Sequence, residues 1–169
     1  MSGAALSITM SVMDAGVRRG FHQLERLMTD TTPVMRAIGT GLVASTHMRF
    51  VTQTDPDGQA WRALNTAYAA DKRNSRILTE SGRLRDSINE QAGNDEVRVG
   101  TNVIYAAAHQ FGAVIKPRSA SHLWFRIGGR LIKADSVTLP ERPFLGISHD
   151  DEVMIAEIVF DFVERYTSR

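Results

Sequence analysis

The sequence contains no cysteine, and this absence excludes disulfides, thiolate zinc sites and a thiol nucleophile. It also lacks a long uninterrupted apolar run, because its most apolar stretch, residues 33–51, carries Arg36, His47 and Arg49. The first ten residues have neither the basic start nor the apolar run of a secretory signal. We therefore expect a soluble protein, made in the cytoplasm, that does not enter a membrane.

Signs of catalysis are equally scarce. None of the five histidines lies at a metal-site spacing such as His-x-x-x-His, and no phosphate-binding loop, nucleophile elbow or dinucleotide-binding turn is present. Asp55 with Asp57, and Asp150 with Asp151, fall in a turn and at a helix start, where capping accounts for them. We expect no catalytic residue, no metal ligand and no cofactor, and hence a protein that is not an enzyme.

The net charge of +1 conceals an uneven distribution of charges. Residues 62–85 hold six basic and two acidic side chains, residues 112–135 hold five and one, and residues 148–169 hold two and six. Such blocks are common on solvated surfaces. They are also compatible with subunits that meet basic to acidic, or with basic loops that face nucleic acid.

With 43% hydrophobic and 23% charged residues, the 169-residue chain is expected to fold as a single domain over residues 1–169. Alternation over residues 6–12 predicts a strand, and helical spacing of Val17, Phe21, Leu24 and Met28 predicts a helix that ends near Asp30. These two predicted elements form the N-terminal part of the chain.

Thr32-Pro33 predicts the start of a second helix, with the Thr32 hydroxyl at its cap. Gly39 and Gly41 within it suggest either a close contact with another helix or a kink. The Asp55-Pro56-Asp57-Gly58 segment then predicts a turn, which Trp61 anchors to the core.

The middle of the chain has weaker signals. Residues 65–74 read as a short surface helix or a mobile arm, and Ser81 suits the cap of a helix through Ile88. Val97 and Val99 alternate with Arg98 as in a strand, which we expect Gly100 to interrupt. Residues 104–111 predict a short helix, or a strand and a turn, that ends at Gly112.

A hairpin over residues 123–133 is the clearest local prediction, because Gly128-Gly129 suits a primed turn between two apolar arms. Its exposed face should be basic through Arg126, Arg130 and Lys133. Aromatic residues among arginines are typical of nucleic-acid binding, but alternation predicts that one ring of Trp124 and Phe125 is core.

The last helix begins after Ser148, with acidic residues in its first turn. Its predicted buried stripe consists of Ile155, Ile158, Val159, Phe162, Val163 and Tyr166. Val153, Ala156 and Phe160 widen the apolar surface, so this helix could touch both its own sheet and a neighbouring subunit. The expected class is α+β: an antiparallel or mixed sheet with a basic hairpin, packed by N-terminal helices and a C-terminal amphipathic helix.

Four segments in order resemble the phage virion morphogenesis family, which is known from Mu-like phages and from tail completion proteins of contractile-tailed phages. They are RFVTQTDPDGQAWRALN (residues 49–65), ILTESGRLRDSI (77–88), EVRVGTNVIYAAAHQFG (96–112) and LPERPFLGIS (139–148). The resemblance runs from about Arg49 to the last helix, and a basic insertion at about residues 113–138 departs from it most.

The resemblance implies a structural protein of the head–tail junction of the virion, present in the host cytoplasm during assembly. It implies a ring, typically of six subunits, around the DNA channel, in contact with other neck, connector and tail proteins and with phage DNA. Two alternatives stay open: a transient capsid-assembly factor, or a non-specific DNA-binding protein.

Three groups of candidate residues follow from this hypothesis. Candidates to face DNA or an adjoining ring are Lys72, Arg73, Arg76, Lys116, Arg118, Arg126, Arg130 and Lys133. Candidates for the subunit interface are Val153, Phe160 and Trp124. Residues assigned to the structural motif are Trp61, Gly82, Tyr105, His109, Gly112, Arg142, Pro143 and Phe144.

Overall fold

The computed structural model describes residues 6–9 and 30–167, and over these residues the chain has an α+β fold. The helices are α1 (Thr32–Thr52), α2 (Thr66–Asp71), α3 (Arg83–Asp86), α4 (Ala106–Gln110) and α5 (His149–Thr167). The strands are β1 (Leu6–Thr9), β2 (Asn89–Ala92), β3 (Val97–Thr101), β4 (Ala113–Ile115), β5 (Leu123–Ile127), β6 (Arg130–Ala134) and β7 (Val137–Leu139). The helix predicted to end near Asp30 lies outside the described residues.

All strand pairs of this part of the chain are antiparallel, in sheets of order β1-β3-β2, β4-β7 and β5-β6. The predicted break at Gly100 is wrong. Gly100 lies within the central strand β3, opposite Ser7 of β1 and Asn89 of β2, and the ladders on both sides hold it extended.

Helix α1 crosses the sheet and packs against α5, and two glycines allow both approaches. A Cβ atom at Gly39 would lie 2.7 Å from Val97 Cγ2 and 2.9 Å from Glu90 Cβ, whereas one at Gly41 would collide with the Met154 thioether of α5. The close helix contact is therefore confirmed for Gly41, while Gly39 faces the sheet. The helix is continuous over 21 residues.

The prediction that the Thr32 hydroxyl caps α1 is wrong. The Thr31 position precedes the helix without a side-chain cap, and the Thr32 backbone N–H donates instead to Asp30 Oδ1 over 2.9 Å. Hydrogen bonds from Thr32 lower the pKa of Asp30. Pro33 occupies the first turn as expected.

The core lies between α1, the three-stranded sheet and the chain that leads into α5. It includes Ile38, Leu42, Phe50, Trp61, Leu84, Ile88, Val99, Val103, Ala106, Phe144 and Leu145. Phe50 and Phe144 are fully buried, with ring centroids 5.4 Å apart. Trp61 meets Phe50 edge to face at 5.5 Å and donates from Nε1 to the Pro143 carbonyl over 2.8 Å. The Trp61 anchor therefore fixes the preceding turn to this core.

Two short helices differ from their predictions in extent. Helix α2 is a surface helix, capped by the Asn65 side chain and without a buried residue. Gly82, whose φ is +79°, occupies the cap position of α3, and the helix ends at Asp86. The Ser81 hydroxyl accepts from the Arg83 N–H over 3.4 Å. A left-handed cap residue favours glycine because it has no Cβ.

The segment from residue 113 to 138 is a stem with a hairpin. Strands β4 and β7 pair through Ala113 with Leu139, and thereby close the base of the segment. Between them, β5 and β6 form a two-stranded sheet of their own around Gly128 and Gly129, whose φ angles are +61° and +71°. The predicted hairpin is confirmed, and it contacts α2, where the Gly128 N–H donates to Asp71 Oδ2.

Candidate functional site

A buried ion pair joins the two long helices. Arg49 Nη2 of α1 lies 2.5 Å from Asp151 Oδ2 of α5, and both side chains are buried. Arg49 Nη1 also donates to the carbonyls of Phe144 and Gly146, over 3.1 and 2.9 Å. One guanidinium therefore ties α1 to the start of α5 and to the corner before it.

The Asp151 carboxylate is also the acidic partner of a capping box. Its Oδ2 accepts from the backbone N–H and the hydroxyl of Ser148, and the Ser148 hydroxyl in turn accepts from the Asp151 N–H. Burial alone would raise the pKa of Asp151, but hydrogen bonds from Ser148 and Ser45, with the charge of Arg49, hold this pKa below its usual value. The Ser148 cap is confirmed, whereas the pair of Asp151 with Arg49 has no local signal in the sequence.

Three of the four segments that carry the family resemblance meet at the corner of residues 142–146. Gln110 Oε1 accepts from the N–H groups of Phe144 and Leu145, each over 3.0 Å, and Gln110 Nε2 donates to the Leu145 carbonyl over 2.8 Å. Arg142 donates from Nε to the Arg62 carbonyl over 2.8 Å and from Nη2 to the Ala63 carbonyl over 3.2 Å. Three separate stretches of sequence therefore form one hydrogen-bonded unit.

Tyr105, His109 and Gly112, three further motif residues, lie beside this unit. His109 accepts at its carbonyl from the Arg142 N–H over 2.7 Å, and its ring lies edge to face with Tyr105. Burial, followed by the charge of Arg142, lowers the pKa of His109. At Gly112, with φ of +71°, a Cβ atom would lie 3.1 Å from the Leu139 carbonyl oxygen. These contacts join the chain around residues 109–112 to the chain at residues 139–142.

The outer face of the hairpin carries Trp124, Arg126, Leu131 and Lys133. The register pairs Trp124 with Lys133 and Arg126 with Leu131, and paired residues share a face. All four are exposed, Trp124 by 59%, and Lys133 Nζ lies 5.8 Å from the Trp124 ring centroid. This arrangement is a cation–π contact on an apolar and basic surface, which we call the hairpin face.

Two expectations for the hairpin are wrong. Arg130 pairs with Ile127 and therefore projects to the opposite side from Arg126 and Lys133. Neither aromatic ring belongs to the core: Trp124 is exposed, and Phe125 is only half-buried. The reason is that the hairpin forms a sheet of its own, apart from the three-stranded sheet, and among the described helices it packs chiefly against α2.

The other basic candidates divide by exposure. Lys72 is held by an ion pair of 2.5 Å with Glu80, beside the Tyr68 ring, and its side chain is only 5% exposed. It is therefore poorly placed to meet a phosphate. Four candidates are exposed and lie outside the hairpin: Arg73, Arg76, Lys116 and Arg118.

The outer surface of α5 combines apolar and acidic side chains. Ile155, Ile158 and Val159 pack against the core, whereas Val153 and Phe160 are 46% and 63% exposed. Ala156, Glu157 and Asp161 are exposed on the same side of the helix. We call the surface of Val153, Ala156, Glu157, Phe160 and Asp161 the helix face.

Within residues 6–9 and 30–167, no three His, Asp or Glu side chains cluster so that they could hold a metal ion. In the same part of the chain, no helix is both long and apolar enough to cross a membrane.

Comparison with known proteins identifies relatives over nearly the whole chain. Residues 12–164 match the model of the phage virion morphogenesis family. Protein G of Escherichia phage Mu, whose name assigns it to capsid assembly, is 30% identical over 96% of this chain and 97% of its own length. The Mu-like prophage FluMu G protein 2 of Haemophilus influenzae is 31% identical over 83% of this chain and 86% of its own length. No solved structure matches the chain.

Proposed function

Because the chain belongs to the phage virion morphogenesis family, we propose that its role in building the phage particle is that of a ring component at the head–tail junction. In this role it completes the neck or the tail so that head and tail can join. The function is structural and needs neither a catalyst nor a cofactor.

One observation carries the proposal: the chain exposes two separate surfaces on which large apolar side chains alternate with charges of one sign. The hairpin face is apolar and basic, and the helix face is apolar and acidic. Exposed apolar clusters rimmed by charge are typical of protein–protein interfaces. Further exposed apolar side chains surround α4, namely Ile104, Tyr105, Phe111 and Val114.

Two different surfaces on one chain suit a ring. When unlike surfaces of identical subunits meet, the contact repeats head to tail and closes into a ring if the rotation allows it. The resemblance to small neck and tail-completion proteins favours six subunits. The partners in this proposal are other copies of the chain, the adjoining neck, connector or tail proteins, and the phage DNA that passes through the channel.

The exposed bases outside the hairpin provide the DNA-facing surface of the proposed ring. Arg73 and Arg76 follow α2, and Lys116 and Arg118 lie in the segment between β4 and β5. Contacts of arginine and lysine with phosphates do not depend on the base sequence, and they weaken as the salt concentration rises. Passage of a genome requires contacts that are independent of sequence and not tight.

Capsid assembly without a place in the finished particle is the second candidate, favoured by the name of the phage Mu relative. Quantitative mass spectrometry of purified virions separates the two. A few copies per particle, measured against the major capsid protein, support the junction role. Absence from virions, together with presence in assembly intermediates, supports the transient factor.

A third candidate, a DNA-binding protein that acts outside the particle, is favoured only by the basic residues. It requires tight, salt-sensitive binding of duplex DNA by the isolated chain. Weak binding before assembly excludes it.

A further inference from the structure

We propose that the hairpin face of one copy docks on the helix face of the next copy. This inference rests on the proposed ring and names the two surfaces that build it. The occupant of each surface is a second copy of this chain.

The hairpin face supplies two apolar side chains and two bases in a defined order. Trp124 and Leu131 lie diagonally to each other, and Arg126 and Lys133 occupy the other two positions of the same face. Arg126 has no ion-pair partner among the described residues, and Lys133 has only the Trp124 ring. The bases are therefore available to acids on another molecule.

The helix face supplies the complementary set. Val153, Glu157 and Phe160 follow each other at spacings of four and three residues, so they form one stripe along α5. Asp161 lies beside this stripe, and no basic residue occurs between His149 and Arg165. The helix face thus combines the apolar Val153 and Phe160 with the acidic Glu157 and Asp161, whereas the hairpin face combines apolar side chains with bases.

Both faces are open to another copy, because neither is covered by the described residues of its own chain. The hairpin leans on α2 through Gly128 and Asp71, and Trp124, Leu131, Val153 and Phe160 all stay exposed. A hairpin that stands away from the core is suited to reach a neighbour. Since the two faces differ, the contact is head to tail.

Charge complementarity selects a second copy over DNA as the occupant. Phosphate would satisfy Arg126 and Lys133 but would leave Leu131 and the helix face exposed to water. Docking on α5 covers the apolar side chains of both faces at once and pairs each base with a carboxylate. DNA is left to the exposed bases of residues 73–76 and 116–118.

Introduced cysteines test the contact directly, because the native chain has none to react in the background. A phage that lacks its own copy of the gene is complemented with two variants together, Leu131→Cys and Ala156→Cys, and its particles are treated with a short thiol cross-linker. We expect cross-linked dimers of the chain from the mixture and none from either variant alone. The matched control replaces Leu131→Cys by Arg130→Cys, on the opposite side of the hairpin, and should give none.

The outcomes separate this inference from the proposed function. If the chain is present in particles and a lysine cross-linker joins its copies, but the cysteine pair does not, the docking inference is overturned and the ring stands. If the chain is absent from particles, the proposed function fails, and the inference fails with it.

Charge reversal provides a second readout. Lys133→Glu or Glu157→Lys alone should lower the yield of infectious particles by more than about tenfold, since each places like charges opposite each other across the interface. Both changes on one chain should restore most of the yield. If the double variant is no better than the single variants, this pairing is contradicted.

Discussion

Arg49 Nη2 and Asp151 Oδ2 lie 2.5 Å apart in the interior, although 102 positions separate them in the sequence. Each end of this pair has further partners: two backbone carbonyls at Arg49 and the Ser148 cap at Asp151. The pair fixes the approach of α5 to α1. The exposed side of α5 depends on that approach, since a rotated helix would present a different set of side chains.

Asp151→Asn should lower the free energy of unfolding by about 3 kcal/mol, because it leaves a buried guanidinium without its counter-charge. Urea denaturation followed by tryptophan fluorescence measures the change. The exposed neighbour provides the control: Asp150→Asn should change the free energy by less than about 0.5 kcal/mol. Equal effects of the two substitutions would show that the ion pair contributes little.

The stability of the protein should fall in acid because the pKa of Asp151 is lowered in the folded state. The unfolded chain then takes up a proton at a higher pH than the folded chain. The contribution of Asp151 to the free energy of unfolding is therefore fully present above the unfolded pKa of about 4, and it declines as the pH falls toward the folded pKa. Comparison of unfolding curves at pH 6 and pH 3 should show a steeper loss for the wild type than for Asp151→Asn. Parallel losses would contradict this assignment.

The lowered pKa of His109 predicts a second loss of stability at milder pH. His109 in the unfolded chain binds a proton near pH 6.5, whereas His109 in the folded chain binds it only at lower pH. The contribution of His109 to the free energy of unfolding is therefore fully present above pH 6.5 and falls as the pH drops below this value. His109→Gln should flatten the stability profile between pH 7 and pH 5. His149→Gln, at an exposed position in the first turn of α5, is the matched control.

Gln110→Ala should lower the free energy of unfolding by about 3 kcal/mol, because three buried hydrogen bonds to Phe144 and Leu145 are lost at about 1 kcal/mol each. Gln91→Ala on the exposed side of β2 serves as control, with a change below about 0.5 kcal/mol. A change at Gln110 as small as that at Gln91 would mean that the corner of residues 142–146 holds without this side chain.

The two glycines of α1 should respond differently to alanine. Gly39→Ala meets Val97 and Glu90 of the sheet, and overpacking there should cost about 1–3 kcal/mol of stability. Gly41→Ala meets only the flexible Met154 thioether, and the gain in helix propensity of about 1 kcal/mol should offset most of the strain. Thermal unfolding of both variants measures the difference, and the reverse order would contradict the described packing.

Local signals in the sequence predicted the elements that depend on local chemistry. The Gly128-Gly129 pair predicted the hairpin, Pro33 the first turn of α1, and Ser148 the start of α5, because each residue acts on its own neighbours. Strand β2 escaped notice since Asn89–Ala92 is polar and extended only through its pairing with β3. The three-residue strands β4 and β7 likewise exist through each other.

The candidate site was predictable in composition but not in arrangement. Helical periodicity places Val153 and Phe160 beyond the buried stripe of α5, and both are exposed. Alternation did not decide which ring of Trp124 and Phe125 is buried, and Trp124 is exposed. The side on which Arg130 projects depends on the hairpin register. Lys72 is excluded as a phosphate contact by its ion pair with Glu80, which is not adjacent to it in the sequence. Contacts between residues far apart in sequence leave no local pattern, so the pair of Arg49 and Asp151 could be found only in the fold.

The most direct test of the proposed ring is electron cryomicroscopy of intact particles of the phage that encodes this chain, with the structure fitted at the head–tail junction. We predict a closed ring of this chain around the channel, with the hairpin of each copy on α5 of the next and with Arg73, Arg76, Lys116 and Arg118 toward the DNA. Density at the junction that other proteins fill completely, with no place for this chain, would contradict it.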